Sequence, residues 1–289
     1  MIRKDLDKVK IINDIDNKGF SVVRNLINKD DAKEFINLLN ISRNANGNTI
    51  TGGSSASGSY FLSNGIACSD KLLELIASDE IIEISSKYIS SQPYLKCHRI
   101  YKTVGKISTF PWHTDNKNKT SKLDLSKGII SIIYLNDVNK GGLDLIPRGY
   151  DKSQNSKPSN EIINNLIETN GIFKFKGKSG DAIFFDQALI HRAAQDLFGG
   201  KAYSLWFQIT DKNAVREQLL LKNHQIPSEN DIKYKFLNIG FKSEDFAQPI
   251  TKEKQIHTTY VFKLLILSIA NNIDNRIRAL IRPFKKFFK

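Results

Sequence analysis

Two side chains that could bind one metal ion stand two positions apart in the segment 111–115, PWHTD. In an extended backbone, residues i and i+2 point to the same face, so His113 and Asp115 can reach a common ion. A third ligand must come from elsewhere, and His191 is suitably placed because it follows the apolar run IFFDQALI. Two imidazoles and one carboxylate suit Fe(II), since they leave coordination positions open for a cosubstrate and O₂.

The pattern His-x-Asp is common, so its spacing alone makes the metal centre a hypothesis. Three other histidines have no carboxylate at ligand spacing. His98 lies in a predicted strand and could line a pocket or pack in the core, whereas His224 and His257 lie in polar stretches and are expected to be exposed. A structural zinc site is not favoured, because no cysteine stands near His113.

Short strands must position these residues. The clearest is the run 129–135, IISIIYL, whose continuous β-branched residues are typical of a strand buried on both faces. Helical patterns lie mainly towards the N-terminus, and together they predict a mainly β sandwich or barrel with helical cover. Further strands are predicted within 17–27, at 94–103, at 143–146 (where Pro147 is expected to end the strand), and at 172–175, 182–185 and 203–209. Helices are predicted at 30–40, at 72–89 and within a surface excursion at 152–170.

Four motifs in order resemble the phytanoyl-CoA dioxygenase family of Fe(II)/2-oxoglutarate oxygenases, over roughly residues 15–210. The N-terminal segment DNKGFSVVRNLINKDDAKEFINLL is similar to the opening strand and helix of that family, and PWHTD is similar to the segment with its first histidine and aspartate. The later motifs are IIYLNDVNKGGLDLIPRGYDK and GKSGDAIFFDQALIHRAA, of which the second leads into the other histidine.

The resemblance implies a double-stranded β-helix, or jelly roll, with Fe(II) held by His113, Asp115 and His191 as the catalytic and metal-binding residues. It also implies 2-oxoglutarate and O₂ as cosubstrates, with ascorbate as a candidate reductant. Trp112 and Gly142 match motif positions and are assigned to packing and turn formation. The presence of Asp115 favours hydroxylation or another oxidation, because related halogenases lack this carboxylate and leave its position to chloride.

The 2-oxoglutarate anchor departs from the family pattern. An arginine is expected ten or eleven residues after the second histidine, where it pairs bidentately with the cosubstrate carboxylate. The basic residue at that distance is Lys201, but a slip of one residue would place Gly200 there and reverse the face of each side chain. Lys102, on the strand before the His-x-Asp segment, resembles a basic position of the family and is the second candidate.

The substrate class stays open between a small molecule, a lipid and a glycan precursor. Three loops at the mouth of the site are expected to select the substrate, at 44–59, 116–127 and 148–170. The second of them is rich in lysine. Two other functions compete: an oxygenase that acts on a macromolecule, and a non-catalytic jelly-roll binding module whose metal site is vestigial.

The chain carries a formal net charge of +13, which could reflect an anionic partner or only a Lys-rich composition. We expect an oxygenase domain over 1–250 and a basic amphipathic helical extension over 251–289. The extension fits peripheral attachment to an anionic membrane, or packing on its own domain or a partner subunit. Nucleic-acid binding is not expected. Two cysteines and an N-terminus without a signal-like apolar run predict a cytoplasmic location.

Overall fold

Two antiparallel sheets face each other in the computed structural model, which describes residues 2–41, 52–54, 60–63, 65–104, 111–115, 127–139, 142–150, 158–193, 201–211, 219–239 and 248–250. The strands are β1 Phe20–Val23, β2 Gly52–Ser54, β3 Tyr60–Ser63, β4 Tyr94–Val104, β5 Gly128–Tyr134, β6 Leu143–Tyr150, β7 Phe173–Lys174, β8 Ala182–Asp186, β9 Leu189–Ala193, β10 Lys201–Thr210, β11 Leu220–Lys222 and β12 Gln248–Ile250. The helices are α1 Lys8–Lys18, α2 Lys29–Ile41, α3 Asp70–Ile76, α4 Asp79–Ile89, α5 Asn160–Asn170 and α6 Ile232–Phe236, with 3₁₀ turns at Gly65–Cys68 and Asn223–Gln225.

The strand order is that of a jelly roll. The larger sheet runs β1-β8-β5-β10-β4-β3-β2 and the smaller one β7-β6-β9. The segment 111–115 adds to the smaller sheet through an antiparallel bridge between His113 and His191. From β4 to β10 the chain passes back and forth between the two sheets, so the predicted double-stranded β-helix is confirmed.

Side chains that alternate along the strands of the larger sheet fill two separate cores. Phe184 of β8 packs in the cluster between the larger sheet and the helices, whereas Phe185 packs in the cluster between the two sheets. Both are buried, and burial of each phenylalanine contributes about 1.5–3 kcal/mol. The second cluster is the wall against which the candidate ligands lie.

Three predicted elements differ from the structure. The helix predicted over 72–89 is two helices, because Ser78 caps the second by accepting from Ile81 N at 3.4 Å. Pro147 does not end β6. It lies where the register with β9 shifts, so the missing N–H group of proline does not break a regular hydrogen bond between the two strands. Within the loop predicted at 44–59, Gly52–Ser54 pairs with β3.

None of the helices that the structure describes is long and apolar enough to cross a bilayer. The predicted extension 251–289 lies outside the described residues.

Candidate metal centre

The two candidate histidine ligands lie directly opposite each other on neighbouring extended segments. His113 N donates to His191 O at 3.0 Å, and His191 N donates to His113 O at 2.9 Å. Residues paired in this way carry their side chains on the same face, and the two ring centroids are 4.4 Å apart. Asp115 lies two residues further along, so its carboxylate reaches the same face, as its spacing predicts.

The three side chains converge on one point. Asp115 Oδ1 lies 3.6 Å from His113 Nε2, and its Oδ2 lies 3.4 Å from His191 Nε2. Donor atoms bound to one ion at about 2.0–2.2 Å stand roughly 3–4 Å apart, so these residues fit a divalent cation. Within the part of the chain that the structure describes, no other group of three His, Cys, Asp or Glu residues has such geometry.

Backbone carbonyls orient both imidazoles. His113 Nδ1 donates to Pro111 O, and His191 Nδ1 donates to Leu189 O, each at 2.9 Å. A carbonyl can only accept, so each Nδ1 carries a proton and each neutral ring keeps its Nε2 lone pair for a metal. Metal-binding histidines are commonly held in this way, which fixes both the tautomer and the ring direction.

The electrostatics of the centre follow from its compactness. Burial by itself would raise the pKa of Asp115, but the neighbouring imidazoles, His191 first, lower it to about 2. Burial would lower the pKa of His191, yet the charge and hydrogen bond of Asp115 and the Leu189 carbonyl raise it above its ordinary value. Without metal, the neighbouring carboxylate therefore favours the protonated form of the His191 imidazole.

Metal affinity is expected to rise with pH through the neutral range. The raised pKa of His191 means that its Nε2 is protonated below that value, so a proton competes with the metal for this atom. Affinity should fall as pH decreases through the folded pKa and level off above it. Titration with Co(II) at several values between about pH 6 and 8 measures the slope, and an affinity independent of pH would contradict the assigned ligand.

The sheet face beside the centre is partly open to solvent. Register pairs Trp206 with Arg99 and Ser204 with Tyr101, and Trp206 packs against the cluster between the sheets. These four inner-face side chains are half-buried, whereas Ile100 and Leu205, which alternate with them, are completely buried against the helices. The Tyr101 ring lies 6.5 Å from that of Trp206, measured between centroids. The inner face therefore offers a wall for a ligand.

The two lysines predicted to bind 2-oxoglutarate lie on β4 and β10. Lys102 is paired with Tyr203 in the register, and its Nζ stands 5.8 Å from the centroid of that ring. Tyr203 packs against the helical cluster, so Lys102 lies on the face opposite the metal centre. Lys201 begins β10 opposite Val104 in the backbone, and its side chain lies outside the described part of the structure, as does Gly200.

The structure also locates Trp112, His98 and His224, three further residues singled out in the sequence. Trp112 is half-buried against the apolar cluster of Ile146, with Arg192 Cζ 4.3 Å from its ring centroid. His98 is buried on the helical face, where its Nε2 accepts from Ile66 N at 3.4 Å. His224 is exposed and contacts the Asp70 carboxylate, while His257 lies outside the described residues.

No family model and no curated protein sequence matches the chain. Several solved structures, in contrast, are similar to the chain. EctD from S. alaskensis matches with a TM-score of 0.58 and 20% identity, over 74% of this chain and 80% of that one. HygX from Streptomyces hygroscopicus, with nickel and 2-oxoglutarate bound, matches with a TM-score of 0.54 and 14% identity, over 73% and 90%. The α-ketoglutarate-dependent epimerase SnoN from nogalamycin biosynthesis matches with a TM-score of 0.58 and 14% identity, over 86% of this chain and 96% of that one.

At these identities the likeness shows a shared jelly-roll fold. The function of the chain must be argued from its own site.

Proposed function

We propose that the chain is an Fe(II)- and 2-oxoglutarate-dependent dioxygenase that oxidises a small molecule, most simply by hydroxylation, with release of succinate and CO₂. The observation that carries this proposal is the convergence of His113, Asp115 and His191 with both Nδ1 atoms bound to carbonyls. This donor set suits Fe(II) and leaves positions for a chelating cosubstrate and O₂. Similar folds contain iron or 2-oxoglutarate in EctD and SnoN.

The chain itself would hold the iron in position and shield one side of it from solvent. His113, Asp115 and His191 would hold the iron, and the carboxylate offsets part of its charge. With iron bound at this centre, O₂ would supply the oxidising equivalents for attack on a C–H bond, and 2-oxoglutarate, itself oxidised to succinate and CO₂, would use the other half of them. The side chain of His191 is only 5% exposed and that of Asp115 is 27% exposed, so one side of the centre faces the core and the other is accessible.

The cosubstrate requires a cation on the inner face of the jelly roll. Lys201 and Lys102 stay predictions, but the register places Lys102 on the opposite face. Arg99 lies on the inner face, with its Nη1 donating to His98 O at 2.7 Å and its Cζ 5.4 Å from the centroid of Phe61. A guanidinium has five N–H donors in a planar fork, and it can bind a carboxylate in a bidentate manner.

Replacing Arg99 with glutamine is expected to weaken 2-oxoglutarate binding about 10- to 100-fold, because a charge-assisted contact contributes about 1.5–3 kcal/mol. The matched control is Lys102→Gln, three residues further along β4 and on the opposite face of the sheet, which should leave the affinity unchanged. Cosubstrate titration of the metal-loaded protein measures both. The reverse ranking of the two variants would assign the anchor to Lys102.

Uncoupled turnover tests the function without knowledge of the substrate. The purified chain with Fe(II), 2-oxoglutarate and air should form succinate slowly, and Asp115→Ala should not. A chain that binds iron but never forms succinate, alone or with candidate substrates, would favour the vestigial binding module. Stimulation by a peptide or an oligonucleotide rather than by small molecules would favour the macromolecular alternative.

Peripheral membrane attachment through 251–289 is a separate proposal that rests on sequence alone. In that segment Ile269, Ile273, Ile277, Leu280 and Phe284 recur at helical spacing among basic residues. The full chain should co-sediment with vesicles that contain anionic lipid and not with neutral vesicles, and removal of 251–289 should abolish the difference. Equal sedimentation of the full chain and of the protein without 251–289 would contradict membrane attachment through this segment.

A further inference from the structure

We infer that Gln208 and Gln187 form an amide clamp that positions Asp115 for metal binding. The inference rests on the metal centre of the proposed function and is independent of the oxidation chemistry. Gln208 lies on β10, and Gln187 lies in the turn between β8 and β9. Both are buried, at 3% and 1% exposure, although neither is a candidate ligand.

The clamp holds the backbone of Asp115 at both of its polar atoms. Asp115 N donates to Gln187 O at 2.9 Å. Asp115 O accepts from Gln208 Nε2 at 3.1 Å. A residue held through both its N–H and its C=O has little freedom to rotate, so the direction of its Cα–Cβ bond is fixed. That direction points the carboxylate at the two imidazoles.

The orientation of the Gln208 amide follows from its partners. Its Nε2 also donates to Gln187 Oε1 at 2.8 Å, so both contacts of this nitrogen are acceptors. Its Oε1 lies 3.8 Å from Cys97 Sγ, whose thiol can donate to it. A flipped amide would bring oxygen against two oxygens, which is unfavourable in a buried site. The network therefore has one stable arrangement.

The surrounding backbone leaves space for this arrangement. Gln187 N donates to Gly128 O at 3.1 Å, which joins the turn to the first residue of β5. A Cβ on Gly128 would clash with Gln187 Oε1. Glycine at this position is thus required for the Gln187 side chain to lie where it reaches Gln208. Three strands of the larger sheet contribute to the clamp: β4 through Cys97, β5 through Gly128 and β10 through Gln208. This anchorage makes the clamp rigid.

Partners beyond the ligands commonly change metal affinity 10- to 100-fold when they are lost. Gln208→Met keeps the length of the side chain and removes both donated hydrogen bonds. We expect it to weaken Co(II) affinity by about that factor and to alter the visible absorption of bound Co(II), which reports ligand number and geometry. Gln208→Glu, which accepts but does not donate as a carboxylate, should weaken binding at least as much.

Gln225→Met is the matched control for lost stability. Gln225 is also a buried glutamine (7% exposed), and its Nε2 donates to Ile66 O at 2.8 Å, far in sequence from the metal centre. Both Met variants should lower the free energy of unfolding, but only Gln208→Met should change Co(II) affinity and spectrum. A Gln208→Met protein with wild-type affinity and spectrum would overturn the inference and reduce Gln208 to a packing residue.

The outcome is separable from that of the proposed function. Normal Co(II) binding that depends on Gln208, together with failure to form succinate, would support the clamp and refute the oxygenase. Failure of the wild-type chain to bind Co(II) would overturn both.

Discussion

Replacing His191 with alanine is expected to eliminate metal-dependent turnover of 2-oxoglutarate. The ring is almost fully buried, and it supplies one of three donor atoms while its Nδ1 is bound to Leu189 O. Loss of partners beyond the ligands already costs about 10- to 100-fold in affinity, so loss of a ligand should cost more than about 100-fold. Metal affinity and succinate formation, measured on protein shown by circular dichroism to be folded, provide the test.

His224→Ala is the control for this substitution. Its side chain is 62% exposed and belongs to a separate pair with Asp70. It should change neither metal affinity nor succinate formation. Wild-type turnover in the His191→Ala protein would remove His191 from the metal centre.

Replacing Phe185 with alanine is expected to lower the free energy of unfolding by about 3–5 kcal/mol, since it leaves a cavity between the two sheets. Phe185 is fully buried, and its ring meets that of His191 edge-on with centroids 5.0 Å apart. Metal affinity should therefore fall as well, because the imidazole loses the surface that keeps it in place. Denaturant unfolding and Co(II) titration measure the two effects.

Phe184→Ala is the matched control on the same strand. Phe184 is equally buried but packs on the helical face, so its loss should cost a similar free energy of unfolding. Metal affinity of the folded variant should stay unchanged. Equal loss of affinity in the two variants would mean that sheet stability in general, rather than contact with His191, determines metal binding.

Much of the fold was predictable because its signals are local. The continuous apolar run at 129–135 corresponds to β5, and the strand rule for residues i and i+2 placed His113 and Asp115 on one face. The break between α3 and α4 was missed because the apolar periodicity continues across Ser78, although a serine followed by Asp79 and Glu80 is a recognisable capping signal. Pro147 was misjudged because its effect depends on a register that only the folded sheet defines.

The site was predictable only in part. The convergence of His191 with the His-x-Asp pair was expected mainly from the four ordered motifs around these residues. The face of Lys102, in contrast, depends on its pairing with Tyr203 of β10, and no local pattern indicates the register between two strands so far apart in sequence. Gln187 and Gln208 had no sequence signal, because a buried glutamine is recognised only by its partners in space.

Anaerobic titration of the Fe(II)-loaded protein with 2-oxoglutarate tests the central claim most directly. Chelation of the cosubstrate by iron held by His113, Asp115 and His191 should produce a visible metal-to-ligand charge-transfer band that saturates, and His113→Ala should not produce it. A wild-type protein that binds Fe(II) but gives no band at millimolar 2-oxoglutarate would contradict the account.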